Sequence, residues 1–533
     1  MDNKNAGMLE GTTNKLLLLA IALVIAYQFF AVGRIPAFPT DDDGAYAAAG
    51  HQIWQTGRPG VSGYKNVAGM ERDIYVLGHI GAAAQGVVMK LFGVSVVTAL
   101  LPSVLVGIGV LAMVVLLGRE LWNVRTGLVA ALLLSLSGVF FSATHSARPD
   151  LLVTMFLLVA LWLVASAAER PYLRLALAGL VMGISGDVHP NGFLLAPLPL
   201  AFWVLLKRPD WGVLWRGVLF YGIGGAAGIV YWLATHYWPQ PADFRRQSSL
   251  HGLATHGVKI LDHGVAGAIG LELQRYLNWF WNARGHRHLL EGLFVLAAGA
   301  LLLWRGGRTG RAIVGAWLLL FLIAAALMSN SFGWYLIFAW PLFALWMARA
   351  AELIELRWPH FIARGALALL IAAYLGNLGL WLWKARQDIP MQARLAELRQ
   401  IVPANAPVFA SAGLWFAYWD RDFTHEPYLP FRVLESKLYP ETGATGWEVE
   451  QQKFGWRYIV AYGNLQRELD PEFPIEEMLA VEPWRNRADE VREARAFSLK
   501  RCSVVARLKS PEDTITVFRI NDDIPSLASR LPE

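Results

Sequence analysis

Apolar positions along this chain fall in long, nearly continuous blocks rather than in stripes or alternations. The first runs from Leu16 to Val32. Others follow at about 95–117, 127–144, 151–168, 172–186, 192–206, 215–234, 288–304, 312–328, 335–349 and 362–383. Blocks of roughly 17–25 such residues cross a hydrocarbon layer as helices, the form that satisfies every backbone polar group internally. The pattern therefore predicts about 11 transmembrane helices. Leu77–Gly93 is apolar but short, and it carries His79, Gln85 and Lys90. It reads as a helix lying at the membrane surface. After Lys384 the blocks stop. Met391–Ile401 has an amphipathic helical pattern, Ala406–Ala410 and Tyr458–Val460 read as buried strands, and Cys502–Leu508 with Thr514–Ile520 reads as a hairpin.

The expected fold is a polytopic α-helical membrane protein with a C-terminal soluble α/β domain. Residues 1–386 form the membrane part, with a first outer loop at 34–94 and a long outer loop at 235–287; residues 387–533 form the α/β domain.

Composition agrees. Of 533 residues, 55% are hydrophobic and 17% charged, against about 45–50% and 25% in soluble chains. That excludes a soluble enzyme and a disordered protein, and the length of the blocks excludes a transmembrane β-barrel. The one cysteine, Cys502, permits neither an intramolecular disulfide nor a cysteine-rich metal site. A signal peptide ending near Ala31-Val32-Gly33 competes with a retained first helix. The retained helix is preferred for its length, and both readings put Arg34 onward outside.

The net charge of +6 is explained by where the cations fall. With Leu77–Gly93 on the surface, one set of alternate loops holds Arg119 and Arg125, Arg170 and Arg174, Lys207, Arg208 and Arg216, Arg305, Arg308 and Arg311, then Arg349, Arg357 and Arg364. The opposite short loops hold only Arg148. This is a positive-inside pattern with a cytoplasmic N-terminus. It brings Arg34–Tyr75, His145–Asp150, Asp187–Asn191, His236–Arg287, Ser329–Trp334 and the C-terminal domain to one outer face.

Candidate chemistry gathers there. Asp41, Asp42 and Asp43 closely follow the first helix. Adjacent carboxylates at an apolar boundary repel, and a desolvated one can act as a general base toward a hydroxyl; an acidic loop or a helix cap is the alternative. Arg148 can bind a phosphate by paired hydrogen bonds or form an ion pair with Asp150, which opens the next helix. Asp187, His189 and Asn191 lie in a turn at the same edge. The histidines and arginines of the long loop match no compact zinc spacing, and no residue is assigned as a metal ligand. Ser329–Tyr335 supplies an aromatic wall or belt.

In this order the pieces resemble the GT-C superfamily of membrane glycosyltransferases, especially bacterial relatives of protein O-mannosyltransferase and of lipid A aminoarabinose transferase. Asp42-Asp43-Gly44-Ala45-Tyr46-Ala47 looks like the superfamily's Asp-Glu-x-x-Tyr-Ala. Leu91-Phe92-Gly93, then Leu117-Gly118-Arg119-Glu120-Leu121-Trp122, then Asp150 and the late Tyr335-Leu336…Pro341 extend the likeness over roughly Leu16–Pro341. The resemblance implies inverting sugar transfer from a polyprenyl phosphate, such as undecaprenyl or decaprenyl phosphate, to an acceptor hydroxyl on the extracytoplasmic face of a bacterial inner membrane. The acceptor is left open among protein, lipid and glycan. Asp42 is then the base, with Asp41 and Asp43 as alternatives in register, and Asp150 the second acidic residue. Relatives often carry Lys or Arg before the late Tyr-Leu, where this chain has Gly333-Trp334. Donor phosphate and sugar contacts are therefore expected from Arg148, His189, Lys65, Arg72, Arg284 and Tyr335. No cofactor is required on this reading, although the carboxylates offer oxygen ligands to Mg²⁺ or Mn²⁺. Trp415–Asp420 is similar in content, though not in order, to the Trp-Trp-Asp-Tyr-Gly of oligosaccharyltransferases, and reads as chance or packing. A flippase for a lipid-linked saccharide and a non-catalytic envelope scaffold are the competing functions.

Overall fold

The computed structural model describes residues 3–32, 40–65, 67–166, 170–255, 259–282, 288–328, 333–387, 391–426, 428–439, 445–479, 488–509 and 514–521. Every expected apolar block is helical. Thr12–Ala31, Val96–Leu121, Trp211–Tyr237, Gly307–Leu327 and His360–Leu380 are each long and apolar enough to cross a membrane. The pair Val124–Leu136 and Gly138–Thr144, bent by 71°, passes the same measure when its two helices are taken together. Ser137 makes that bend. Its backbone is extended, and its hydroxyl accepts from the Phe140 amide at 3.2 Å, ending one helix and capping the next.

The other expected spans are shorter helices: Asp150–Ala165, Pro171–Val188, Asn191–Leu195 continued by Pro197–Lys207, Leu289–Arg305 and Trp340–Glu355. At 1.5 Å per residue a 16-residue helix covers about 24 Å, less than a hydrocarbon core of about 30 Å. Trp340, Phe343, Leu345 and Trp346 on the last of them are almost fully enclosed in the bundle core. The first helix is locked in as well, because Gln28 is buried and its Oε1 accepts from Thr144 Oγ1 at 2.9 Å.

Leu77–Gly93 forms the helix His79–Phe92, about 21 Å long and too short to span. It packs on a second surface helix, Asp41–Thr56.

Beyond the bundle, five strands pair in the order β2-β1-β3-β5-β4. They are β1 (Val408–Ala410), β2 (Phe423–His425), β3 (Tyr458–Ala461), β4 (Cys502–Lys509) and β5 (Thr514–Ile520). β1 runs parallel to β2 and β3, while β5 is antiparallel to β3 and β4. This sheet does not keep its core to itself. Phe409, Trp456 and Ile459 pack in one apolar cluster with Tyr46, Ala47, Val61, Tyr64 and Met70 of the first outer loop. Polar ties follow the same seam. Lys65 pairs with Asp422, Arg246 Nη2 meets Glu435 Oε1 at 2.6 Å, and Gln247 accepts from the Tyr75 amide at 2.7 Å.

Candidate active site

The three aspartates open the helix Asp41–Thr56, where successive side chains point about 100° apart. Asp43 turns inward and is fully engaged. Its Oδ2 accepts from the Thr40 amide at 2.7 Å and the Thr40 hydroxyl at 2.9 Å, completing a capping box. Its Oδ1 accepts from Ser146 Oγ at 2.8 Å and the Ala147 amide at 2.6 Å. Burial pushes this carboxyl up, opposed by the hydrogen bonds from Thr40, Ser146 and Ala147. Asp43 thus fixes the second outer loop against the first.

That anchoring brings Arg148 to Asp42. The guanidinium pairs with the Asp42 carboxylate through Nη1 and donates from Nε to Asp150 Oδ2 at 2.8 Å. The Arg148 side chain is 10% exposed, Asp150 5% and Asp42 55%. Burial opposes the charge on Arg148, but Asp150 and Asp42 outweigh it and push the guanidinium up. The cation also stands 6.0 Å from the Tyr335 ring centroid. Tyr46, one turn along from Asp42, is buried; that burial, and then the charge on Asp42, hold its phenol well above the usual range. Asp42, Arg148, Asp150, Tyr46 and Tyr335 therefore form one constellation. It has a solvent-facing carboxylate, a caged cation and an aromatic wall.

A profile of the family described as dolichyl-phosphate-mannose-protein mannosyltransferase matches residues 80–238. No curated protein is similar to the chain in sequence. Solved structures are. ArnT from Cupriavidus metallidurans bound to undecaprenyl phosphate aligns with 13% identity over 94% of this chain and 98% of its own, with a TM-score of 0.63. The Archaeoglobus fulgidus oligosaccharyltransferase in complex with zinc and sulfate aligns with 14% identity over 96% of this chain and 73% of its own, at 0.55. The archaeal oligosaccharyltransferase AglB from the same organism, with an inhibitory peptide and a dolichol-phosphate, aligns with 13% identity over 96% and 75%, at 0.51.

The chain has the GT-C fold.

Within the GT-C fold the remaining expected site residues separate by place. His189 ends the helix Pro171–Val188, accepts from the Asn191 amide at 3.1 Å, and has its ring 6.2 Å from that of Tyr335, so it borders the constellation. Lys65 faces the other way, paired with Asp422 and 5.4 Å from the Phe454 ring, where it ties the first loop to the sheet. Arg72 is exposed, with its Nε 3.7 Å from Glu71. Arg284 and the Asp41 side chain lie outside the described residues. Trp415–Tyr418 is buried beside the surface helix, as packing predicts.

A metal ion between Asp42 and Asp150 would meet a place already filled, because the Arg148 guanidinium bridges the two carboxylates. A second polar cluster has a different character. His79, Asp187 and His236 come from three distant segments and each offers a metal-ligand atom. Sequence reading placed all three near the outer edge but did not group them. Their separations in sequence, 108 and 49 residues, match no compact spacing, and only the fold joins them.

Proposed function

We propose that this GT-C protein is an inverting glycosyltransferase that moves a sugar from a polyprenyl-phosphate donor to an acceptor hydroxyl on the extracytoplasmic face of the membrane. The observation that supports it most is Arg148 held between Asp42 and Asp150 beside Tyr335. In this reading Asp42, the exposed member, takes the proton of the acceptor hydroxyl as its oxygen attacks the anomeric carbon. The bond from that carbon to the phosphate oxygen breaks on the opposite side, so configuration inverts. The electron pair leaves with the polyprenyl phosphate. A guanidinium has five donors in a planar fork, enough for both carboxylates and a phosphate oxygen, and it stabilises the departing charge. Asp150 holds that fork in place. Tyr335 and His189 line the sugar's side. We assign no metal to this step, because Arg148 supplies the positive charge where a divalent ion would sit.

Sidedness rests on the cations. Arg125 and Arg349, paired with Glu355 and Glu352, belong to the loops that the positive-inside pattern assigns to the cytoplasmic face. A bacterial inner membrane suits an undecaprenyl-type carrier. The reading accommodates a hexose or a pentose, and a protein, lipid or glycan acceptor. The test is transfer of labelled sugar from a panel of polyprenyl-phosphate sugars to candidate acceptors by the purified chain, with Asp42→Asn and Asp150→Asn. Loss of transfer in both folded variants supports the assignment, and full activity in both overturns it.

A further inference from the structure

We propose that His79, Asp187 and His236 bind a single zinc-class divalent ion that pins three outer-face segments together, separately from the transfer site. The three ligand atoms all lie within 4.8 Å of one another. Around zinc, with bonds of about 2.0–2.2 Å, tetrahedral ligand atoms stand about 3.3 Å apart, so about 1.5 Å of closure, with the stacked rings turned until both planes meet at the ion, gathers them. Two imidazoles and one carboxylate form a borderline nitrogen–oxygen set, which selects zinc and its transition-metal neighbours over magnesium or calcium.

The hydrogen-bond network around the cluster can present its ligand atoms to a cation. Thr235 Oγ1 donates to the carbonyl of Tyr231 at 3.1 Å or Trp232 at 3.2 Å. The same hydroxyl lies 2.8 Å from His236 Nδ1 and accepts from it in the tautomer protonated at that nitrogen. In that tautomer the other ring nitrogen, Nε2, carries a lone pair, and it stands 3.1 Å from Asp187 Oδ1. Asp187 is fully buried, and this oxygen accepts no hydrogen bond. Two lone pairs facing each other at that distance repel, and an ion between them turns both into ligands. His79 has the complementary arrangement. Its Nε2 donates to the Ile74 carbonyl at 3.1 Å, which leaves Nδ1 as the ligand-capable nitrogen, oriented by a backbone partner as metal-bound histidines commonly are. The Tyr231 hydroxyl at 3.4 Å and the opening amides of the surface helix also face the carboxylate, the Leu77 and Trp232 carbonyls face His236, and Asp73 faces His79.

The backbone is shaped to the cluster. His236 lies on the wide π-turn Leu233–Tyr237, a break in helical phase of the kind that re-aims a side chain. Its ring stacks on His79, with centroids 4.0 Å apart and planes 11° apart, and Trp232 backs it at 5.3 Å. Gly78 lets the His79 segment touch the Asp187 segment. A Cβ there would come within 1.9 Å of the Val188 carbonyl oxygen. Bound metal would thus join the surface helix His79–Phe92, the end of Pro171–Val188 and the entrance to the long outer loop. The last two residues of that second segment lead directly to His189 beside Tyr335.

The test uses the full chain purified in detergent, loaded with zinc, passed over chelating resin and analysed by elemental mass spectrometry. Wild type and Asp42→Asn are expected to retain one zinc per chain, and Asp187→Asn and His236→Gln to retain none. A His236→Cys chain loaded with Co²⁺ keeps a ligand at the position even where the glutamine variant fails to fold. It is expected to show a thiolate-to-cobalt charge-transfer band that wild type, with Cys502 present, does not. Folded wild type that retains no zinc, folded Asp187→Asn that retains it in full, or a cobalt-loaded His236→Cys chain without the new band each overturns the proposal. Because Asp42→Asn keeps its metal if the proposal holds, failure of the transferase reading and failure of the metal site are read separately.

Discussion

Three neighbouring aspartates share a composition and differ in what surrounds them. Asp43 spends both oxygens on four hydrogen bonds, whereas Asp42 is 55% exposed and held by Arg148. Asp43→Asn is expected to act on stability, at about 1–3 kcal/mol for a damaged cap and disrupted buried hydrogen bonds. Asp42→Asn is expected to leave thermal unfolding unchanged and lower turnover about 10²–10⁴-fold, the usual scale for a general base. A thermal melt beside a turnover assay on each variant separates the two; equal melting loss in both would sink the division of roles. At Arg148, lysine keeps the charge but loses the fork that reaches two carboxylates at once. Arg148→Lys is expected to fold and to lose transfer at least about tenfold, while Arg148→Ala leaves buried Asp150 without its cation and costs about 3–5 kcal/mol in denaturant unfolding. The sequence located this run because acidic residues after an apolar span are conspicuous. It left the register open because a one-residue shift on a helix is a rotation of about 100°, settled only by the loop packed opposite. The Lys65 pair was hidden for a related reason: its partner Asp422 lies 357 residues away.

Among the elements, long apolar blocks declared themselves, and so did the hairpin at 502–520, since both follow from local pattern. Placing Leu77–Gly93 on the surface needed only length and the distribution of arginine. What stayed hidden were features built by contact. β2 is three residues long and includes buried His425, too short for any alternation to show. The 71° bend at Ser137 breaks a block whose hydropathy is uninterrupted. The approach of the sheet to the surface helix depends on Gly44, where a Cβ would come within 1.9 Å of the Ala412 carbonyl oxygen, a backbone atom with no rotamer to yield. Gly44→Ala is therefore expected to lower the melting temperature and, by shifting Asp42 two residues away from it, transfer activity too. Gly222→Ala is the matched control. It lies exposed in the helix Trp211–Trp232 with nothing within 4 Å, so helix propensity alone predicts a gain of about 0.5–1 kcal/mol. Melting curves of both in the same detergent check the sign of each; a neutral Gly44→Ala would mean that the two elements are not in backbone contact.

For the whole molecule, the shared core ties the C-terminal sheet to the first outer loop more firmly than the charge pattern does. Phe409 and Trp456 of the C-terminal part pack with Tyr46 and Met70 of the first outer loop, and Lys65 and Arg246 tie the same seam by charge. Parts that share an apolar core cannot lie across a bilayer from one another, so residues 41–43 and the sheet must occupy one face. The proposed chemistry requires this too, since a carrier headgroup reaches only one face at a time. Single cysteines at exposed positions can read it. Arg58 and Arg492 have side chains 64% and 55% exposed and lie on the two sides of the seam, while Arg364, 72% exposed, lies at the opposite helix ends. The native Cys502 gives little background, because burial pushes its thiol up to about 12 and leaves almost no thiolate at neutral pH. A membrane-impermeant maleimide applied to intact cells is expected to label Arg58→Cys and Arg492→Cys and to reach Arg364→Cys only after permeabilisation. Labelling Arg58→Cys and Arg492→Cys from different sides would separate the carboxylates from the sheet that packs beneath them. Labelling both from the cytoplasm alone would keep the fold and overturn the extracytoplasmic reaction.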